Sequence, residues 1–209
     1  MSLFWSICQK PKVFEHAQKR NAFLTFQGRN RKIYKLKWTI LEQEIFSLLC
    51  IKAGERLSQR EAAQILNVSP TAVSNSTKKL KDSNLIKIEK TKTINFISFN
   101  RDELRAVELK RVENLKNFYI SGLSDYLEKE LAGSTVILFG SYSKGEDTNT
   151  SDIDIAVIER KDKMLELEKY EKILNRRINI NFYDSWKKIH ENLKNNILNG
   201  IILHGGVEL

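Results

Sequence analysis

Cysteine is scarce in this chain, and the two it has, Cys8 and Cys50, stand far apart. With no CxxC and no Cys/His spacing, neither a disulfide framework nor a zinc site organises the fold, and reduced thiols are expected. Long apolar runs are missing as well, which excludes a bilayer span and leaves no membrane partner to expect. Residues 1–10 carry Phe4 and Trp5 but no basic leader, no long apolar stretch and no small-residue cleavage site. A cytoplasmic location is the expectation. Internal repeats and low-complexity tracts are also wanting. Acidic residues are nearly absent from the first 37 positions, where one acid faces nine Lys/Arg, with Phe14, Phe23, Phe26 and Tyr34 interleaved. Neither the helical nor the strand period is clean there. A basic arm on nucleic acid, a short ordered extension and partly foreign sequence all fit.

What is present is enough for packed cores. The 209 residues are 41% hydrophobic, which suits one large domain or two small ones. Charge separates the two halves. Residues 1–99 hold 18 Lys/Arg against 7 Asp/Glu, a net +11, while residues 100–209 hold 17 against 19, a net −2. The basic excess lies wholly in the first half, and a polyanionic partner for that half follows.

The most informative stretch is VILFGSYSKGEDTNTSDIDIAVI, residues 136–158. Val136 to Phe139 has the length and branching of a buried strand, ended by Gly140 and Ser141. A polar loop follows, and Asp152-Ile153-Asp154 opens a second apolar run through Ile158. Carboxylates at i and i+2 on a strand project from the same face. Two like charges so close raise each other's pKa unless a cation sits between them. Oxygen ligands on a rigid strand, with room for waters and phosphate oxygens, suit Mg²⁺. Gly140 lets the backbone approach a phosphate, and Ser141 offers a hydroxyl and an amide to it.

Gly140-Ser141, ten residues, then Asp152-x-Asp154 resembles the GSx10DxD signature of the minimal nucleotidyltransferases, small members of the DNA polymerase β superfamily. Gly145 and Ser151 also fall where that family has a glycine and a serine. The resemblance covers roughly residues 104–209. It implies two Mg²⁺ ions held by three carboxylates, with ATP as the substrate and a nucleoside monophosphate moved to an acceptor hydroxyl. Asp152 and Asp154 match two of the three acids as catalytic and metal-binding residues, and Gly140 and Ser141 match the nucleotide-binding turn. The third acid is replaced. Its strand reads ININFYD, and Asn179, or Asn181 one pleat on, stands in the fitting position. Asparagine can coordinate Mg²⁺ through its carbonyl but brings no charge and cannot act as a base. Asp184 would project to the other face.

The first half has its own pattern. Thr39 can cap a helix with Ile40, Leu41, Ile45, Leu48 and Leu49 at helical spacing, and Gly54 follows its end. Ser58 and Glu61 form a capping box for a second helix. Ser69-Pro70 starts a third, with Val73, Thr77 and Leu80 inside and Thr71, Ser74, Asn75, Lys78 and Lys79 outside. Two strands, 85–89 and 93–99, are joined by a turn holding Lys90, Thr91 and Lys92. SQREAAQILNVSPTAVSNSTKKLKDSNLI, with the hairpin, resembles a winged helix-turn-helix. That resemblance places Thr71, Ser74, Asn75 and Lys78 at base edges or flanking phosphates of duplex DNA, and Lys90 and Lys92 on the wing.

Between the two lies a charged stretch with Leu104, Val107, Val112, Leu115, Phe118, Leu123, Tyr126, Leu127 and Leu131 at helical spacing, Gly122 as a break, and Lys110 and Lys116 on a solvated face. Beyond Ile158 the pattern predicts a helix over 163–174, a strand over 177–183, a helix over 185–198 and a short apolar segment at 201–203. His204 reads as a packing or surface residue.

The expected class is therefore α+β: a basic extension (1–37), a winged helix-turn-helix (38–100), then a small α/β nucleotidyltransferase domain with a mixed sheet and a helical lead-in (101–209). Two functional readings follow. One is a Mg²⁺-dependent nucleotidyltransferase, moving AMP from ATP to a hydroxyl of a protein or small molecule. The family's antitoxins, which adenylylate a tyrosine of a partner toxin, make a cognate toxin one such acceptor. The other is a DNA-binding regulator whose second domain senses nucleotide or docks a partner. A homodimer is compatible with either.

Overall fold

The computed structural model describes residues 38–207. The readings made for the basic extension, including Cys8 and its interleaved aromatics, lie outside those residues.

The first half is built as its caps dictate. Helix α1 (Ile40–Ile51) opens on a capping box between Thr39 and Glu42. Strand β1 (Leu57–Ser58) leads into α2 (Gln59–Ile65), where Ser58 and Glu61 form a second box. Asn67, at φ 53°, makes the turn into α3 (Pro70–Asp82), capped by Ser69. Each cap satisfies orphan N–H groups of a first turn, an effect worth about 1 kcal/mol. Val73, Thr77 and Leu80 form the buried face of α3, as their spacing predicts. Strands β2 (Ile86–Lys90) and β3 (Asn95–Phe99) pair antiparallel, and β1 adds to the other edge of β3. That third strand was not foreseen, because two residues show no period.

Helix α4 (Leu104–Ile120) serves two cores. Ala106 belongs to the cluster around Ile45, Phe46, Leu49 and Leu80, while Phe118 belongs to the cluster beneath the second sheet. Its middle departs from the expected apolar stripe. Leu104 and Val112 are 71% and 64% exposed, and the buried face carries Lys110 and Asn114. Lys110, expected in solvent, is fully buried. The reason is a buried carboxylate opposite it, described below. Lys116 does remain near solvent, paired with Glu113 at 2.6 Å.

Gly122, at φ +75°, breaks the chain into α5 (Leu123–Glu130). Strand β4 (Thr135–Phe139), the short α6 (Gly140–Lys144), β5 (Ile153–Ile158), α7 (Glu168–Leu174), β6 (Ile178–Tyr183), α8 (Glu191–Leu198) and β7 (Ile201–His204) complete the fold. The sheet order is β6-β5-β4-β7, with β5 and β6 parallel and the other pairs antiparallel, so the sheet is mixed. Phe118, Leu123, Leu127, Tyr170 and Leu174 cover one face. Trp186, Ile189 and Ile197 cover the other, against Ile137, Phe139, Ala156 and Ile158. The apolar segment near the end is the edge strand β7.

Two helices are shorter than their periodicity predicts. Helix α7 begins at Glu168, because Lys163 and Glu166 are drawn off by Glu130 and the Tyr126 hydroxyl. Within 185–198, a 3₁₀ turn (Trp186–Lys188) replaces the first part of the expected helix. Burying both Trp186 and Ile189 against the sheet selects the tighter turn. His204 takes a packing role, its Nε2 lying 3.0 Å from the Ser124 hydroxyl.

Candidate functional site

The sheet brings the sequence-predicted site residues together. Strand β4 ends at Phe139, which pairs with Asp154, and Asp154 pairs on its other side with Asn179. Laterally paired residues of a sheet share a face, so Asp154 and Asn179 project together beside the Gly140-Ser141 turn. Asn179, not Asn181, is the residue in register with the carboxylates, since Asn181 pairs with Ala156. Asp184 follows the far end of β6, exposed and paired with Lys188.

Gly140 is required there twice over. Its φ is +75°, and a Cβ at that position would lie 2.5 Å from Asp154 Oδ2. A side chain could be accommodated only by moving the carboxylate. Gly145, at φ +77°, is similarly constrained, because a Cβ would lie 2.7 Å from the backbone nitrogen of Arg111. Ser151 closes the loop by accepting the Thr148 N–H at 2.9 Å. The glycine and serine of the motif thus shape the loop that delivers Asp152.

Burial pushes the Asp154 carboxyl above its ordinary range, and the neighbouring Asp152 charge adds to that, while the Asn179 amide opposes it. Asn179 Nδ2 donates to Asp152 Oδ2 at 3.0 Å. No lysine or arginine among the described residues forms an ion pair with either aspartate, nor do those residues hold a cluster of three or more His, Cys, Asp or Glu. The donor set is therefore two half-buried carboxylates plus one amide. Hard oxygen donors with unneutralised charge fit Mg²⁺. Asn179 would join them through its carbonyl, after turning the amide that now donates.

A cleft of about 550 Å³ opens beside Asp152, lined by Ser151, Lys172, Asn175, Arg176 and Arg177 among others. Its cations were missed by the sequence reading, since Arg176 falls between the expected helix and strand and Arg177 reads only as the first residue of that strand. So was the cluster behind it. Asp147, within the motif's spacer, is buried and ion-paired with Lys110. It also accepts from Asn114 Nδ2 at 2.7 Å and lies 3.5 Å from Arg176 Nη2. Desolvation lowers the Lys110 pKa, and the Asp147 charge works against it. Burial raises the pKa of the nearby Cys50 thiol, which is consistent with an inert core cysteine.

On the winged-helix side, Thr71, Asn75 and Lys78 are exposed on α3, and Ser74 is half-buried. Lys78 donates to Asn75 Oδ1 at 3.3 Å. Lys90 and Lys92 are exposed at the hairpin tip, where Thr91 and Ile94 close the turn. Lys79, on the same helix, is drawn back to Glu42 at 2.9 Å.

Two family models match. Residues 122–206 match Polymerase beta, Nucleotidyltransferase, and residues 48–87 match Winged helix-turn-helix DNA-binding. Among solved structures, a mutant of Lactococcus lactis ZitR is 21% identical with a TM-score of 0.35, over 46% of this chain and 64% of that one. The heme sensor protein PefR from Streptococcus agalactiae, in complex with heme, is 21% identical with a TM-score of 0.30, over 46% and 60%. The chain thus spans less than two thirds of the length of either. No curated protein matches it. With both models satisfied, the chain joins a winged helix-turn-helix to a domain of the polymerase beta nucleotidyltransferase family.

Proposed function

We propose that the protein binds ATP with Mg²⁺ at Asp152, Asp154 and Asn179 and transfers AMP to a hydroxyl group, and that its winged helix binds duplex DNA. The observation that carries the first part is the register that sets Asp154 beside both Gly140-Ser141 and Asn179. Phosphate oxygens, metal-binding oxygens and an approaching acceptor need that convergence. Bound Mg²⁺ would stabilise charge on the attacking oxygen and on the departing pyrophosphate. The chain's own work is to hold the triphosphate at the Gly140-Ser141 turn and to align the acceptor in the cleft beside Asp152.

In the transfer, the acceptor oxygen forms a bond to the α-phosphorus. The bond from that phosphorus to the oxygen bridging to the β-phosphate breaks, and pyrophosphate leaves. The acceptor's proton goes to solvent or to a base on the acceptor, because Asn179 cannot take it. A protein hydroxyl, such as a tyrosine of a cognate toxin, fits the open cleft as well as a small molecule does. Incubating the protein with α-phosphate-labelled ATP, Mg²⁺ and cell extract tests the reading. A labelled product that disappears with Asp152→Ala supports it, and the absence of any labelled product counts against transfer.

A second reading has one observation in its favour. Asn179 already hydrogen-bonds to Asp152 without supplying charge, which suits a site that binds nucleotide and reports it to the DNA-binding half rather than turning it over. Nucleotide binding without transfer in the same assay is the outcome expected of that sensor.

A further inference from the structure

We infer that the winged helix is coupled to the nucleotide site from behind the cleft, so that nucleotide and duplex DNA bind with positive cooperativity through a buried junction centred on Asp147 and Arg176. The inference rests on the nucleotide-binding reading above. Four segments meet at the junction. Asp147, in the loop that delivers Asp152, is held by Lys110 and Asn114 of α4. Arg176, three residues before Asn179, faces Asp147 and donates to the Ile51 carbonyl at 2.8 Å, the last residue of α1. One residue pair further on, the Asn149 N–H donates to the Ala53 carbonyl at 2.9 Å, and its side-chain amide donates to Glu55. The starts of both metal-holding strands are therefore fixed to the end of the winged helix's first helix. Helix α1 is in turn tied to α3 by the Glu42–Lys79 pair at 2.9 Å.

Stability alone is a poor account of this cluster. It buries two cations against one carboxylate, and Asp147 Oδ2 and Arg176 Nε have no hydrogen-bond partner. Apolar side chains of similar volume would stabilise such a site at least as well. What directional contacts provide instead is a defined position for the loop. A nucleotide with its metal orders that loop from the Asp152 side, and DNA orders α1 and α3 from the other. Whichever binds first bears the ordering cost of the shared junction, and the second binds more tightly.

The test uses the full chain, ATP with Mg²⁺, and a mixed-sequence DNA duplex at low salt. DNA should tighten ATP binding about fivefold or more, and ATP should tighten DNA binding by the same factor, because linkage is reciprocal. Arg176→Met, if its melting curve shows a folded protein, should bring the factor to near one. Glu55→Ala, which lies outside both binding surfaces, should lower the factor while leaving each separate affinity within about twofold. A factor of one in the native protein, or a factor unchanged in both variants, overturns the inference. A native protein that binds no ATP sinks the nucleotide reading instead. The junction then stands or falls on hydrogen exchange with DNA alone, which should slow the Asn149 amide about fivefold or more if the junction is ordered from the DNA side. Unchanged exchange there would overturn it.

Discussion

Asn179 on β6 donates a 3.0 Å hydrogen bond to Asp152, the residue just before β5, and so sets a neutral amide where the resemblance to the minimal nucleotidyltransferases implies a third acid. The contact satisfies one carboxylate oxygen but adds no charge to a site whose Asp154 is already pushed toward protonation by burial. Asn179→Asp should therefore raise Mg²⁺ affinity and supply the missing base. General-base help is typically worth about 10²–10⁴-fold, so any transfer measured with labelled ATP should rise on that scale. Asn181→Asp, in register with Ala156, is the control and should change little. Equal or slower transfer by the Asn179 variant would mean that the amide is no defect and that the base comes from the acceptor.

Gly140→Ala tests how tightly the turn and Asp154 are matched. The added Cβ would meet Asp154 Oδ2 at 2.5 Å from a backbone at φ +75°. The left-handed conformation alone costs an L-residue about 1–2 kcal/mol. Nucleotide affinity should fall beyond what a melting curve explains, because the carboxylate must move. Native affinity in this variant would place the triphosphate elsewhere.

The buried cluster predicts an order among variants. Lys110→Met leaves Asp147 facing Arg176 at 3.5 Å and accepting from Asn114. Asp147→Ala strands two buried cations at once. Breaking a buried pair by removing one partner costs about 3–5 kcal/mol, so urea unfolding should show Asp147→Ala in that range and Lys110→Met below it. The reverse order would show that Lys110, not Asp147, anchors the junction.

At the other end of the chain, the wing should behave as a phosphate contact. Lys92→Ala in the full chain should weaken duplex binding uniformly across sequences and lower the salt slope by about one. An unchanged slope would remove the hairpin tip from the DNA surface.

Much of this was legible in the sequence wherever one local rule acts alone. The caps at Thr39, Ser58 and Ser69 read directly, as did the buried face of α3, while strand alternation left Asn179 and Asn181 both open as the partner of the aspartates until the register set Asn179 beside Asp154. What escaped depends on partners distant in the chain. Lys110 lies on a helix whose neighbours are charged, so nothing nearby announces burial; only Asp147, in a polar loop that reads as a turn, explains it. Arg176 reaches Ile51, far back in the sequence. Helix α7 was expected too early for a similar reason, because its periodic lead-in is claimed by Tyr126 and Glu130. Period and propensity report a residue's own element and stay silent about such long-range polar ties.

The central claim is that Asp152 and Asp154 form a metal-dependent nucleotide site, and calorimetry with ATP tests it most directly. Native protein should bind ATP in Mg²⁺, and binding should weaken strongly in EDTA and in the Asp152→Ala/Asp154→Ala double variant, with the melting curve showing the variant folded. Equal binding in all three conditions would contradict the account.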